Sequence, residues 1–362
     1  MKRRDRAAVS GLTLVLLAGV TAAAQTTPAP AKARTPAKST KPWTPPRTPW
    51  GDPDLSGNLT NLYELDTPFE RPEQFAGRTL DDIKGAELQE IRKAIRERTT
   101  QERSTPESLA LSGSRWFWFD ALDHLRGGMP WLVTDPPDGK IPPMAAEGQQ
   151  RAARRTAERR SNGHGPADSP NDRSLYDRCI SRGLPGSMMP AIYGNSYQIV
   201  QGPGYVAIRY EMIHETRVIP LDARPHVGAA LRSYMGDARG HWEGDTLVVE
   251  TANFKDETAY RGADGSSLHL VERFTRTAPD KIMWTVTVND PKTWTRPWTF
   301  GMPLTFNDQE QIFEYACHEG NYAMTNLLDV ARAEERAAAE AAKKGIAGPA
   351  PRSGAEPDGQ EK

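Results

Sequence analysis

Apolar and polar residues alternate with a period of two between Ser196 and Ala316, in stretches such as YVAIRYEM, LHLVERFTR and IMWTVTVND. Successive side chains of a strand point to opposite faces, so this pattern commits the segment to half-buried strands. SYQIVQ and YVAIRYEM, joined by GPG, read as a hairpin, and ETRVIPLD follows as a third strand. AALRSYMGDARGHWEGDTLVVETANF gives a strand, a turn at Glu243-Gly244-Asp245 and a second strand. LHLVERFTRT and IMWTVTVND flank APDK as another hairpin, and QIFEYA reads as a last short strand. A meander of about eight such strands closes into a barrel or curls deeply, because open sheet edges invite aggregation. The expected fold is mainly β: an antiparallel lipocalin-like barrel or curled sheet over residues 179–320, with an N-terminal helical and Pro-rich wrap and a C-terminal helix.

The flanks are of different character. MKRRDRAAVSGLTLVLLAGVTAAAQ sets a basic start before a short apolar run ending at Ala22-Ala23-Ala24, the pattern of a signal peptide over residues 1–24. The run is too short to span a bilayer, and no membrane span is expected. Residues 25–50 are rich in Pro, Thr, Ala and Lys, which predicts an extended, disordered tether. Residues 51–178 form the expected wrap. Within it, a capping box of Thr79 and Asp82 precedes Leu80, Ile83, Leu88, Ile91 and Ile95, the spacing of an amphipathic helix. Trp116, Phe117, Trp118 and Phe119 suit core packing or a cap over a cavity. Residues 145–160 read as a basic, solvated helix, and His164 falls in a loop. A helix over 321–344 and a disordered tail over 345–362 complete the chain.

The full chain carries a net charge of −1, which becomes about −4 when the four basic residues and one acid of residues 1–24 are removed, and this argues against a nucleic-acid partner. In an oxidising compartment the two cysteines, Cys179 and Cys317, are most simply one disulfide. Cys317 stands beside His318 and Glu319 in FEYACHEGNY. A nucleophile there would need a free thiolate, and adjacent residues rarely present their side chains to each other, so a staple closing the entry of the barrel on its exit is the reading.

Chemistry is sought in the ionisable residues of the β region. Glutamate is disfavoured in strands, yet Glu211, Glu250, Glu272 and Glu314 occupy expected strand positions. By alternation Arg209 and Glu211 share one face, while Glu272 lies with Leu268, Leu270 and Phe274 and would be buried, needing an Arg partner or a raised pKa. Candidate acid–base residues are Glu211 with His214 and Glu272 with His269. Candidate ligand contacts are Arg209, Arg273 and His241, with Trp284 and Trp298 as apolar wall. His241 with Asp237 is a further possible pair at the rim. An ion-pair network in which Arg209, Arg217 and Arg273 neutralise the glutamates and fix register is the alternative. Glu211-x-x-His214 and His318-Glu319 hold ligand-type residues, but strand neighbours three apart face opposite ways and the spacing matches no zinc signature, so no metal or other cofactor is assigned. There is no nucleophile elbow, phosphate loop or dinucleotide fingerprint.

GDPDLSGN with TPFERPEQFAG, then DPPDGKIPPM, GHWEGDTLVVETANF, VERFTR and EYACHEGNY, from about residue 50 to 335, resemble a family of uncharacterised exported bacterial proteins. That resemblance implies export and a shared fold and carries no activity. The pattern of the β region is also similar to lipocalin-like (calycin) barrels. Three functions follow as expectations: a periplasmic or secreted lipocalin-like protein binding a small molecule; a hydrolase, lyase or isomerase using a Glu/His acid–base pair on the same barrel; or a structural protein in which every buried charge is paired.

Overall fold

The computed structural model describes residues 43–345 apart from 104–126, 162–166, 192–193, 308 and 310. The expected signal peptide, the aromatic run Trp116–Phe119, His164 and all but the first residue of the C-terminal tail lie outside the described residues. Ten strands form one antiparallel sheet: β1 (Gly57–Thr60), β2 (Val133–Asp135), β3 (Ser196–Gly202), β4 (Tyr205–Tyr210), β5 (Thr216–Pro220), β6 (Asp237–Glu243), β7 (Thr246–Ala252), β8 (His269–Ala278), β9 (Lys281–Asn289) and β10 (Trp298–Phe306). Their spatial order is β5-β4-β3-β1-β10-β9-β8-β7-β6, with β2 also paired to β10. The sheet curls into a nearly closed barrel whose seam lies between β5 and β6. There, a Cβ on Gly240 would stand only 2.7 Å from Leu221 Cδ2 and 2.8 Å from Ile219 Cγ2, so the bare glycine lets the two edges approach.

The hairpins follow the alternation, but three expectations change. QIFEYA is not a strand; residues 311–316 run without ladder bonds, and Glu314 is exposed. The strand expected ahead of GHWEG begins only at Asp237, residues 221–236 being loop. Gly236 (φ 68°) turns the chain into β6, its Cα so near β7 that a Cβ would sit 2.7 Å from Ala252 O. Strand β10 was not anticipated, because TRPWTFGMPLTF contains Pro297, Gly301 and Pro303. Gly301 N donates to Leu132 O beside β2, and the β1 ladder begins again at Thr305. Alternation of the ladder turns the missing N–H of Pro303 into the gap between β2 and β1, where it has no carbonyl to satisfy.

The wrap contributes to the barrel itself, since β1 sits between β3 and β10 and β2 pairs with β10. Residues 43–50, expected in the tether, lie against the barrel, where Arg47 pairs with Asp245. The capping box of Thr79 and Asp82 closes a single 3-10 turn, Leu80–Asp82. Helix α1 starts afterwards (Gly85–Arg103); Leu88 and Ile91 pack against a small cluster of Phe75, Ile83 and Trp131, and Ile95 is buried. The basic helix is α2 (Ala146–Ser161) and the C-terminal one α3 (Ala323–Lys343). No helix among the described residues is long and apolar enough to cross a membrane.

Inward-facing residues of all the long strands make one apolar cluster. Trp284, Trp298, Phe274, Phe300, Tyr197 and Tyr210 are fully buried in it, and Trp298 meets Phe69 and Trp294 edge to face and Phe300 at a tilt, with ring centroids 5.5 to 5.9 Å apart. At about 150–250 Å² of buried area per ring, these aromatics dominate the stability of the core.

Candidate functional site

Of the four glutamates singled out in the sequence, Glu272 on β8 alone enters the barrel, with 0% exposure. Arg217 on β5 reaches across to it and donates through both Nη atoms at 2.5 and 2.9 Å, and Trp284 Nε1 donates at 3.1 Å. This bidentate pair neutralises the charge and satisfies the carboxylate; of the network expected from Arg209, Arg217 and Arg273, it is the Arg217 member, while Arg273 pairs with Glu243. Burial works to lower the Arg217 pKa, but Glu272 and Tyr210 together outweigh it and raise it. Burial pushes the Tyr210 hydroxyl pKa up, so it stays protonated beside the pair. Trp284 and Trp298, expected as the apolar wall of a ligand cavity, are fully buried in the interior. The surrounding interior is a cluster of aromatic and aliphatic side chains, so where a polar, charged cavity lined by several residues was expected, Arg217 and Glu272 form a closed polar contact in an apolar core.

The remaining candidates point elsewhere. Val206, Ile208 and Tyr210 of β4 face inward, which turns Arg209 and Glu211 to the outer surface. Glu211 closes β4 by accepting from Ser196 N at 3.2 Å. His214 is exposed, in a left-handed turn, with Nδ1 3.0 Å from Tyr315 O. The two are joined through the backbone, His214 N donating to Glu211 O at 3.1 Å. His269 lies on the outer face of β8, opposite to Glu272, so that proposed pair is separated by the sheet itself. Arg273 and His241 are also on the outer face, both joined to Glu243: Arg273 Nη2 at 2.5 Å and His241 Nε2 at 3.2 Å. The Arg273 contact, the larger influence, and His241 hold the Glu243 carboxyl below its usual range.

Cys179 and Cys317 are disulfide-bonded with Cα atoms 5.9 Å apart. Asn321 Nδ2 donates to Cys317 O at 2.7 Å, tying the start of the C-terminal segment to the staple. A cleft of about 390 Å³ lies outside the barrel, lined by Leu88 and Gln89 of α1, Asp280, Lys281 and Thr305 among others. It contains none of the histidines.

The arrangement that gathers several ionisable groups is on the outer face of β6, β7 and β8. His226 from the 221–236 loop, Glu250 from β7 and His269 from β8 bring one nitrogen or oxygen each to within 4.8 Å of one another, all partly shielded from solvent. His269 Nε2 is 3.3 Å from Glu250 Oε2. Asp237 at the start of β6 takes His226 Nδ1 at 2.9 Å, accepts from Val227 N at 2.9 Å and from Arg239 at 2.6 Å. Burial works to raise the Asp237 pKa, yet these three donors overcome it and hold the carboxyl below its usual range. Asp237 thus finds a histidine, but His226 rather than His241. Sequence reading passed over His226, which sits in the aperiodic stretch DARPHVG; its only signal was being a histidine in a loop that precedes a strand. Glu250 and His269 reach one face because Glu250 pairs with Val271, which shares its side of β8 with His269.

No protein-family model, characterised protein or solved structure matches the chain.

Proposed function

We propose that this is an exported binding protein that holds a small polar ligand on the outer face of β6–β8, with the barrel interior serving as a rigid support. The observation that carries the reading is the convergence of His226, Glu250 and His269 on one half-shielded spot, with Asp237 orienting one imidazole. Export is supported by the basic and apolar N-terminal stretch with its small-residue end and by the disulfide, which persists in oxidising compartments. The nearly closed antiparallel barrel is consistent with a lipocalin-like binding protein, and its inner face carries a cluster of buried aromatic and aliphatic side chains.

A thermal-unfolding screen against ions and small polar molecules tests this, because a ligand bound to the native state alone raises Tm by mass action. The expected result is protection of the parent that vanishes in a Glu250→Gln, His269→Gln double variant. Protection that persists undiminished in that variant would move the site elsewhere. The His226–Asp237 contact also favours a second reading, an enzyme using an acid–base dyad. It requires turnover that Asp237→Asn abolishes.

A further inference from the structure

Four features of the outer-face cluster belong together. Two imidazoles and one carboxylate, from three separate segments, present their donor atoms within 4.8 Å of one another. The Nδ1 of His226 is taken by Asp237, which leaves Nε2 as the nitrogen able to coordinate. The loop carrying His226 is pinned on both sides: Arg239 Nε donates to Pro225 O at 3.1 Å, Asp237 accepts from Val227 N at 2.9 Å, and Asn253 Nδ2 donates to Val227 O at 2.9 Å. Arg239, although directly across the ladder from Glu250, is spent on Asp237, so the Glu250 carboxylate has an imidazole, that of His269, beside it in place of an arginine.

From this geometry we propose that His226, Glu250 and His269 form a binding site for a divalent transition-metal ion, best matched by Zn²⁺, with Asp237 as the positioning residue behind His226. The proposal rests on the binding reading above and names the ligand class. Two nitrogens and one oxygen suit zinc and its neighbours rather than calcium or magnesium, which demand more oxygens. Tetrahedral zinc at about 2.0–2.1 Å from each donor places the donors about 3.4 Å apart. The 3.3 Å between His269 and Glu250 already meets that, and the widest separation needs to close by at most about 1.4 Å. A carboxylate behind a ligating histidine is the usual means of fixing its tautomer and direction. Three protein ligands leave a fourth position for water or a ligand from solution.

Calorimetric titration of chelator-stripped protein with zinc sulfate, backed by elemental analysis, tests the site. The expected result is one zinc per chain, with His226→Ala and His269→Ala each weakening binding at least about a hundredfold and Asp237→Asn about 10–100-fold. His241→Ala and His318→Ala, at exposed histidines outside the cluster, should leave affinity unchanged. Cobalt(II) added to the parent should give the visible bands of a tetrahedral site and lose them when zinc displaces it, a readout independent of any variant. Absence of stoichiometric zinc, or binding indifferent to His226→Ala and His269→Ala, overturns the proposal. If zinc fails while an organic polar ligand still protects the parent and not the Glu250→Gln, His269→Gln variant, the metal assignment falls and the binding reading stands. If neither binds, both fall.

Discussion

Arg217 and Glu272 show how a charged pair is carried inside an aromatic barrel. With 5% and 0% exposure, each is tolerable only because the other is there, and removing one strands a desolvated charge. Glu272→Gln should therefore lower stability by about 3–5 kcal/mol, read as a shift of the urea midpoint at constant slope. Combining it with Arg217→Met removes the orphaned cation, keeps an acceptor for Trp284, and should recover most of the loss. Glu215 poses the opposite electrostatic case. Burial raises its pKa, and the donors Ser181, Arg182 N and Ser187 only partly counter this. A carboxyl whose folded pKa exceeds its unfolded value adds stability below the unfolded value of about 4.3 and loses it as pH rises through the folded one. Urea unfolding from pH 4 upward should show the parent falling behind Glu215→Gln as pH rises; parallel profiles would contradict this. At this scale the sequence announced that Glu272 would be buried and would need either an Arg partner or a raised pKa, since its parity with Leu270 and Phe274 was plain. It did not announce which arginine, because the choice among Arg209, Arg217 and Arg273 depends on which strands face each other across the lumen.

Among the elements, β10 departs furthest from what pattern alone conveys. It is buried through most of its length and carries Gly301 and Pro303, so it shows no alternation and two apparent breakers. The backbone resolves the contradiction by setting Pro303 in the gap between two partner strands. Gly301 packs on β9 so closely that a Cβ would lie 2.8 Å from Thr285 Cγ2 and 2.9 Å from Trp284 O. Gly301→Ala should cost about 1–3 kcal/mol in thermal or urea unfolding, since the ladder carbonyl cannot move aside. The converse failure is QIFEYA, which has strand-like residues and no strand to receive them; alternation supplies a face but not a partner. The cluster on β6–β8 was half legible for the same reason. Glu250 and His269 stand in strands whose register can be inferred, whereas His226 arrives from a loop whose path is set by Arg239, Asp237 and Asn253.

For the whole molecule, the staple between Cys179 and Cys317 spans 138 residues. The chain it closes includes β3 to β10, so it joins the two ends of most of the sheet. Replacing both cysteines by alanine should lower unfolding stability by about 4–5 kcal/mol in the chain-entropy model, and thiol titration of the denatured, unreduced parent should find no free sulfhydryl. The barrel so closed buries aromatic and aliphatic side chains on its inner face, and the His226, Glu250 and His269 cluster stands on its outer wall. Diffraction from crystals grown with zinc, recorded on both sides of the zinc absorption edge, tests that division most directly. The expected result is an anomalous peak bonded to His226, Glu250 and His269, with only the protein's own side chains in the lumen; a peak elsewhere with nothing bound at these three residues, or a ligand seated between Trp284 and Trp298, would contradict it.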